Sequence, residues 1–169
     1  AVLLADDLMV GPPGGQAVLT QMVQTYQALA SSVLAVQEVP ADQVRRYGIV
    51  AGMPAGERLM RIERIVEKPA PSQAPSRMGV AGRYILTPRI FHHLRRVQAG
   101  TGGEIQLTDA IAALLGEETV LAFPFHGIRY DCGSKLGYLK ATIAFGRKHP
   151  EVGQAFTEYL AGLNIGARP

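Results

Sequence analysis

The chain opens on an unbroken apolar run, Ala1-Val2-Leu3-Leu4-Ala5, that stops at two adjacent acids, Asp6 and Asp7. This junction constrains the fold more than any other feature. A strand with one face in water alternates apolar and polar residues, whereas a continuous apolar run reads as a strand buried on both faces of a parallel sheet. Acids at its carboxyl end stand where such sheets bind their ligands. The next segments extend the pattern. Gly11-Pro12-Pro13-Gly14-Gly15 is a loop by composition. Val18, Leu19, Met22, Val23, Tyr26 and Leu29 recur at helical spacing and predict an amphipathic helix over 16–29. Ser32–Val39 is a second apolar strand. Strand, helix, strand is a βαβ unit with an expected right-handed crossover. A buried first strand needs a neighbour on each side, so the start reads as a cut through a larger fold, with an edge strand or a processed start as the alternative.

Further along, Ala41–Tyr47 is a short helical segment. Gly48–Ala51 and Leu59–Val66 flank a turn at Gly52-Met53-Pro54-Ala55-Gly56 and predict a hairpin. Pro69–Pro75 reads as an exposed loop, and Val80–Leu86 as a strand. Thr87-Pro88 is a helix-start signal, since Thr accepts from a free N–H and Pro has none to leave unpaired. Ile90, Phe91, Leu94 and Val97 mark the face of that helix; Leu107, Ile111, Leu114 and Leu115 mark another. Val120–Phe125 and Ile128–Tyr130 are strands. Leu136, Leu139 and Ile143 mark a helix to about Lys148, and Val152, Phe156, Tyr159, Leu160 and Leu163 the last one. The fold class is α/β, a mixed, mostly parallel sheet flanked by helices. The expected division is 1–150 as the main domain and 151–169 as a C-terminal helix and tail.

Composition narrows the function. The 169 residues are 47% hydrophobic and 18% charged, which supports a packed core and argues against disorder. No run approaches the ~18 apolar residues of a membrane span, and no leader of basic then apolar residues is visible. Cys132 is the only cysteine, which excludes an internal disulfide and agrees with a reducing cytoplasm. The net charge of +3 comes from scattered basic residues without interleaved aromatics, a poor pattern for nucleic acid. No GxGxxG or P-loop is present.

The candidate chemistry lies at strand ends. Asp6, and Asp131 in Tyr130-Asp131-Cys132-Gly133, are carboxylates able to hold a hard cation such as Mg²⁺ through oxygen. Each could equally cap a turn. Glu67 and Lys68 end a strand: the lysine offers a compact positive charge to a phosphate and the glutamate can accept from sugar hydroxyls. An exposed ion pair is the alternative. Gly48 would let a backbone amide approach a ligand, or simply make a turn. In Gly102-Gly103-Glu104-Ile105-Gln106-Leu107-Thr108-Asp109, Glu104 could contact a sugar, while Thr108 or Asp109 could cap the helix. His92, His93, His126 and His149 lack metal-ligand spacing and read as surface or packing residues.

In order, the segments LLADDLMVG, SVLAVQEVP, RRYGIV, RIVEKPAPSQAPS, GRYILTP, GGEIQLTDAIAALL and RYDCGSKLGYL resemble the bacterial UTP–glucose-1-phosphate uridylyltransferases, from about Ala1 to His149. The resemblance implies a partial Rossmann-like nucleotidyltransferase fold, truncated at its N-terminus. It implies that Asp6 and Asp131 hold Mg²⁺, that Glu67 binds the sugar and Lys68 its phosphate, that the Gly48 amide meets the sugar, and that Glu104 lies beside the glucose. Asp6 and Lys68 would serve catalysis. The implied substrates are UTP and glucose 1-phosphate, with UDP-glucose and pyrophosphate as products, in the cytoplasm, and in a family that forms dimers or tetramers. The family usually has Pro at Ala5. Its glycine-rich nucleotide loop lies upstream of this strand, so the chain alone is expected to turn over little. Sister enzymes using dTTP, a non-catalytic remnant or oligomer-dependent module, and a metal-dependent phosphatase are the alternative readings.

Overall fold

The computed structural model describes residues 1–99 and 103–163. They form two compact units. The larger comprises Ala1–Leu4 and Met9–Ile128; the smaller comprises Ala5–Leu8 and the chain from Arg129 onward.

The larger unit is built on a six-stranded sheet in the order β1-β6-β3-β7-β5-β4. Its strands are β1 (Val2–Leu3), β3 (Ser32–Glu38), β4 (Gly48–Pro54), β5 (Met60–Glu67), β6 (Met78–Ile85) and β7 (Val120–Pro124). β3 explains why an apolar run was needed. Val33 and Ala35 point to one face, Leu34 and Val36 to the other, as the two-residue period of a strand requires. Both faces are covered. Helix α1 (Val18–Leu29) buries Val18 and Met22 against Val33, Ala35, Ala81 and Ile85. On the opposite face, α3 (Leu107–Leu114) buries Ala110, Ile111 and Leu114 against Leu34, Val36, Val50 and Val120. The valine, leucine, isoleucine and methionine side chains among these each contribute roughly 1.5–3 kcal/mol on burial. α1 ends at Ala30, whose φ of 48° turns the chain out of the helix.

The mixed sheet is as the sequence implies, but its neighbours are mostly antiparallel. β3 and β7 pair in parallel; β6 runs against β1, β3 and β4, and β5 against β4 and β7. β6 also separates β1 from β3, so the first strand–helix–strand unit spans an intervening strand. The opening run is a strand, as expected, and among the described residues it has one of the two neighbours that a buried strand needs. β1 is an edge strand whose neighbour is β6, and Val2 and Leu3 are exposed.

Local differences have local causes. The hairpin strand β4 continues through Gly52 to Pro54 instead of turning at Gly52. A register shift falls between Ala51 and Gly52, where a Cβ would collide with the Arg61 carbonyl, so the glycine permits a bulge rather than a turn. The Ala41–Arg46 segment is a 3₁₀ turn, and another, Pro71–Gln73, lies in the proline-rich loop. Thr87 does not cap its helix: its hydroxyl donates to Glu118 Oε1 at 2.6 Å, and α2 (Ile90–Leu94) begins later, with Phe91 exposed.

β2 (Asp7–Val10) and β8 (Ile128–Asp131) form a separate two-stranded ribbon. The smaller unit holds Asp7, Leu8 and Arg129–Asp131 of this ribbon, together with α4 (Lys135–Gly146) and α5 (Gly153–Gly162). Ser134 caps α4 by accepting from the Gly137 N–H. Phe156 of α5 lies against Gly146, where a Cβ would come within 2.8 Å of its ring. The expected apolar stripe of α4 faces outward: Leu136, Leu139 and Ile143 are all exposed. Among the described residues, no helix is long and apolar enough to cross a membrane.

Candidate functional site

Two constellations emerge, one in each unit. In the smaller unit the chain brings Asp6 and Asp131 together. Asp6 leads into β2 and Asp131 ends β8, so pairing of these strands draws two sequence-distant acids to one place. The Cys132 N–H donates to the Asp6 carbonyl at 2.7 Å, a backbone tie beside Asp131. Gly133 lies between the carboxylates. A Cβ there would sit 2.8 Å from Asp6 Oδ2 and 3.2 Å from Asp131 Oδ1. Glycine leaves the two carboxylates room to approach, and a methyl group there would push them aside.

This donor set suits a hard cation that keeps several waters or takes phosphate oxygens in its remaining positions. It would not hold a metal by protein ligands alone: among the described residues no cluster of three or more His, Cys, Asp or Glu is so placed. Behind Asp6, Asp7 is 4% exposed and receives a hydrogen bond from Arg129 Nε.

In the larger unit Gly48, Glu67 and Lys68 come together through the β4–β5 hairpin. Gly48 and Glu67 are opposed across the ladder. A Cβ on Gly48 would lie 3.3 Å from Glu67 Oε2 and 3.4 Å from Thr108 Oγ1. Any side chain there would crowd the glutamate. Glu67 is fixed from the other side by Thr108, whose hydroxyl donates to Oε2 at 2.6 Å, in the range of a charge-assisted bond. Lys68 Nζ stands 3.7 Å from the other carboxylate oxygen, Glu67 Oε1. Its ammonium is largely in solvent, so this ion pair is weak and the charge remains accessible to an anion.

Lys68 itself adopts φ of 43°, in the left-handed region. This costs a non-glycine residue about 1–2 kcal/mol, and such strain clusters where a side chain must be aimed. The Lys68 N–H donates to the Tyr47 carbonyl at 3.0 Å, which holds the bend. Pro69 follows and keeps the chain from continuing as helix.

Glu104 lies in the exposed approach to α3, with Gln106 Nε2 at 3.5 Å as its hydrogen-bond partner. Gly102 of the same motif falls outside the described residues. Neither Thr108 nor Asp109 caps α3, which begins without a side-chain cap. Thr108 spends its hydroxyl on Glu67 instead. That role had no local signal, because its partner lies on another element. The Arg129–Asp7 pair was likewise invisible in sequence. Gly133 did carry a signal, a glycine two residues after a strand-end acid.

Residues 1–147 match the family model described as nucleotidyl transferase. The chain is 46% identical over 142 residues to a UTP–glucose-1-phosphate uridylyltransferase of Pseudomonas aeruginosa, covering 84% of this chain and 50% of that protein. It is 40% identical over 163 residues to the Bacillus subtilis protein of the same name, covering 96% of this chain and 55% of that one. A crystal structure of UDP-glucose pyrophosphorylase complexed with UDP-glucose superimposes with a TM-score of 0.82 at 41% identity, over 87% of this chain and 55% of the other. The chain spans about half the length of the curated relatives it matches.

Proposed function

Because this chain belongs to the nucleotidyl transferase family, we propose that it contributes the cation and sugar-phosphate residues of a reaction joining UTP and glucose 1-phosphate into UDP-glucose and pyrophosphate. The reading rests on one observation above all: two carboxylates far apart in the sequence, Asp6 and Asp131, both come within 3.2 Å of where a Cβ on Gly133 would lie. The substrates follow from the names of its relatives, which favour UTP over dTTP.

In this reading a phosphate oxygen of glucose 1-phosphate attacks the α-phosphorus of UTP in line, and the bond from that phosphorus to pyrophosphate breaks. The attacking phosphate is already ionised, so no general base is needed. Mg²⁺, when bound, supplies neutralisation of charge on phosphate oxygens. Asp6 and Asp131 hold it through carboxylate oxygens. Lys68 places its ammonium on the sugar phosphate and relieves the repulsion between two anions. Glu67, oriented by Thr108, accepts from sugar hydroxyls, and the bare backbone at Gly48 leaves room for the sugar. Glu104, on its exposed loop, adds a further acceptor for the glucose. A cytoplasmic location and a dimer or tetramer as the working form belong to the same reading.

A Mn²⁺ titration followed by electron paramagnetic resonance tests the cation residues. One site is expected in the chain, abolished by Asp6→Ala and strongly weakened by Asp131→Ala. Unchanged binding in both variants contradicts the reading. The absence of phosphate release from glucose 1-phosphate separates this reading from a phosphatase.

A further inference from the structure

Asp7 and Arg129 have side chains only 5% and 8% exposed, so neither is placed to touch a ligand. Their ion pair is nonetheless tied to the cation residues through the chain. Asp7 adjoins Asp6, and Arg129 precedes Asp131 on the same strand. Burying such a pair is expensive: desolvation often cancels the attraction, and an apolar pair of similar volume is frequently as stable. The best-attested return on a buried pair is register. Misaligned, it leaves an uncompensated buried charge, which is strongly destabilising.

Backbone pairing fixes the register of this ribbon only weakly, and the buried pair adds to the face preference that Met9 gains against the α1 core and Tyr130 against Phe145. β2 and β8 have four residues each and pair as two strands, and such a ribbon is marginal on backbone pairing alone. A slip of one residue turns every side chain to the opposite face and moves it about 3.3 Å along the strand. Either displacement breaks a carboxylate pair that must meet one small cation at about 2.0–2.1 Å from each oxygen. The Cys132 N–H on the Asp6 carbonyl is a backbone tie, but a backbone bond does not distinguish one residue from the next.

We propose that the buried Arg129–Asp7 pair is a positioning element for the cation site, locking the register that sets the Asp6 and Asp131 carboxylates on either side of Gly133. The inference rests on the reading of these two acids as cation ligands. A register role and a purely electrostatic one differ in sign. Removing the Arg129 cation draws a divalent ion more strongly to the acids by Coulomb's law, whereas loosening the ribbon weakens its capture.

The experiment is Mn²⁺ titration by electron paramagnetic resonance on this chain and on Arg129→Gln, Arg129→Lys and Asp6→Asn, with circular dichroism melts on each. Arg129→Gln is expected to weaken Mn²⁺ by about tenfold or more, as loss of a partner supporting metal ligands does. Arg129→Lys keeps the charge but loses the rigid guanidinium fork. It is expected to keep the native spectrum and still bind Mn²⁺ severalfold less tightly, and it decides the question should Arg129→Gln unfold. Wild-type affinity in Arg129→Lys, or tighter binding in Arg129→Gln, overturns the positioning role while Asp6→Asn, having lost the site, leaves the cation reading intact. If Asp6→Asn binds as the wild type does, or the wild type shows no site, the cation reading falls and this inference with it.

Discussion

Thr108→Val removes one hydroxyl and changes little else. Valine has nearly the shape of threonine and the same branching at Cβ, so α3 and its packing persist. What disappears is the 2.6 Å bond to Glu67 Oε2. A hydrogen bond to a charged group contributes about 1.5–3 kcal/mol. The Glu67 side chain is 27% exposed, so water replaces part of the loss and the lower end applies, about 1.5 kcal/mol. For a chain of 169 residues that corresponds to a fall in Tm of roughly 3–6 °C. Urea unfolding followed by circular dichroism measures the stability, and the m-value is expected to stay constant because the folded and unfolded surfaces are unchanged. Glu67→Gln and the double variant complete a cycle whose coupling energy isolates the pair. The same preparation titrated with glucose 1-phosphate is expected to bind more weakly, since Glu67 is no longer held. A stability within about 0.3 kcal/mol of the wild type, or a coupling energy near zero, refutes the argument that Thr108 fixes Glu67.

The remaining predictions use different features. Lys68→Gly relieves a left-handed residue and is expected to stabilise the chain by up to about 1 kcal/mol in urea unfolding, while calorimetry shows loss of glucose 1-phosphate binding. Gly133→Ala places a methyl group against both carboxylates; they turn aside, stability changes little, and Mn²⁺ affinity measured by electron paramagnetic resonance falls about tenfold. The Glu117 carboxyl is held below its ordinary range, first by the hydrogen bond from Arg89, against the opposing effect of burial, and further by the charges of Arg89, His93 and His92. A depressed carboxylate contributes stability that is whole above its unfolded pKa and is lost as pH falls through the folded one. Stability therefore declines below about pH 4.5, and Arg89→Gln flattens that decline when urea midpoints are compared on either side of this value.

How far the sequence reaches depends on where the determining contact lies. β3 was legible because both its faces are buried and every residue from Val33 to Val36 must be apolar. α1 and α3 were legible because each has one buried stripe. β1 was legible as a strand for the same reason as β3, but its partner was not: that β6 lies between β1 and β3 is not written in β1 itself. α4 shows the same limit: its apolar period is real, but Leu136 and Leu139 face outward. At the site, Asp6, Asp131, Glu67 and Lys68 could be singled out as acids and a lysine at strand ends, and their likeness to a family sharpened the choice. The residues that hold them in place could not. Thr108 was read as a cap because capping is a local rule, whereas its partner is Glu67. Asp7 and Arg129 are ordinary charged residues until folding buries them together.

The central claim is that Asp6 and Asp131, brought together beside Gly133, are the ligands of one divalent cation. Calorimetric titration of Mg²⁺ into this chain tests it directly. Saturable heat from one site that disappears in Asp6→Ala and falls sharply in Asp131→Ala is the expected result. Heat that survives both substitutions unchanged, or no saturable heat in the wild type, contradicts it.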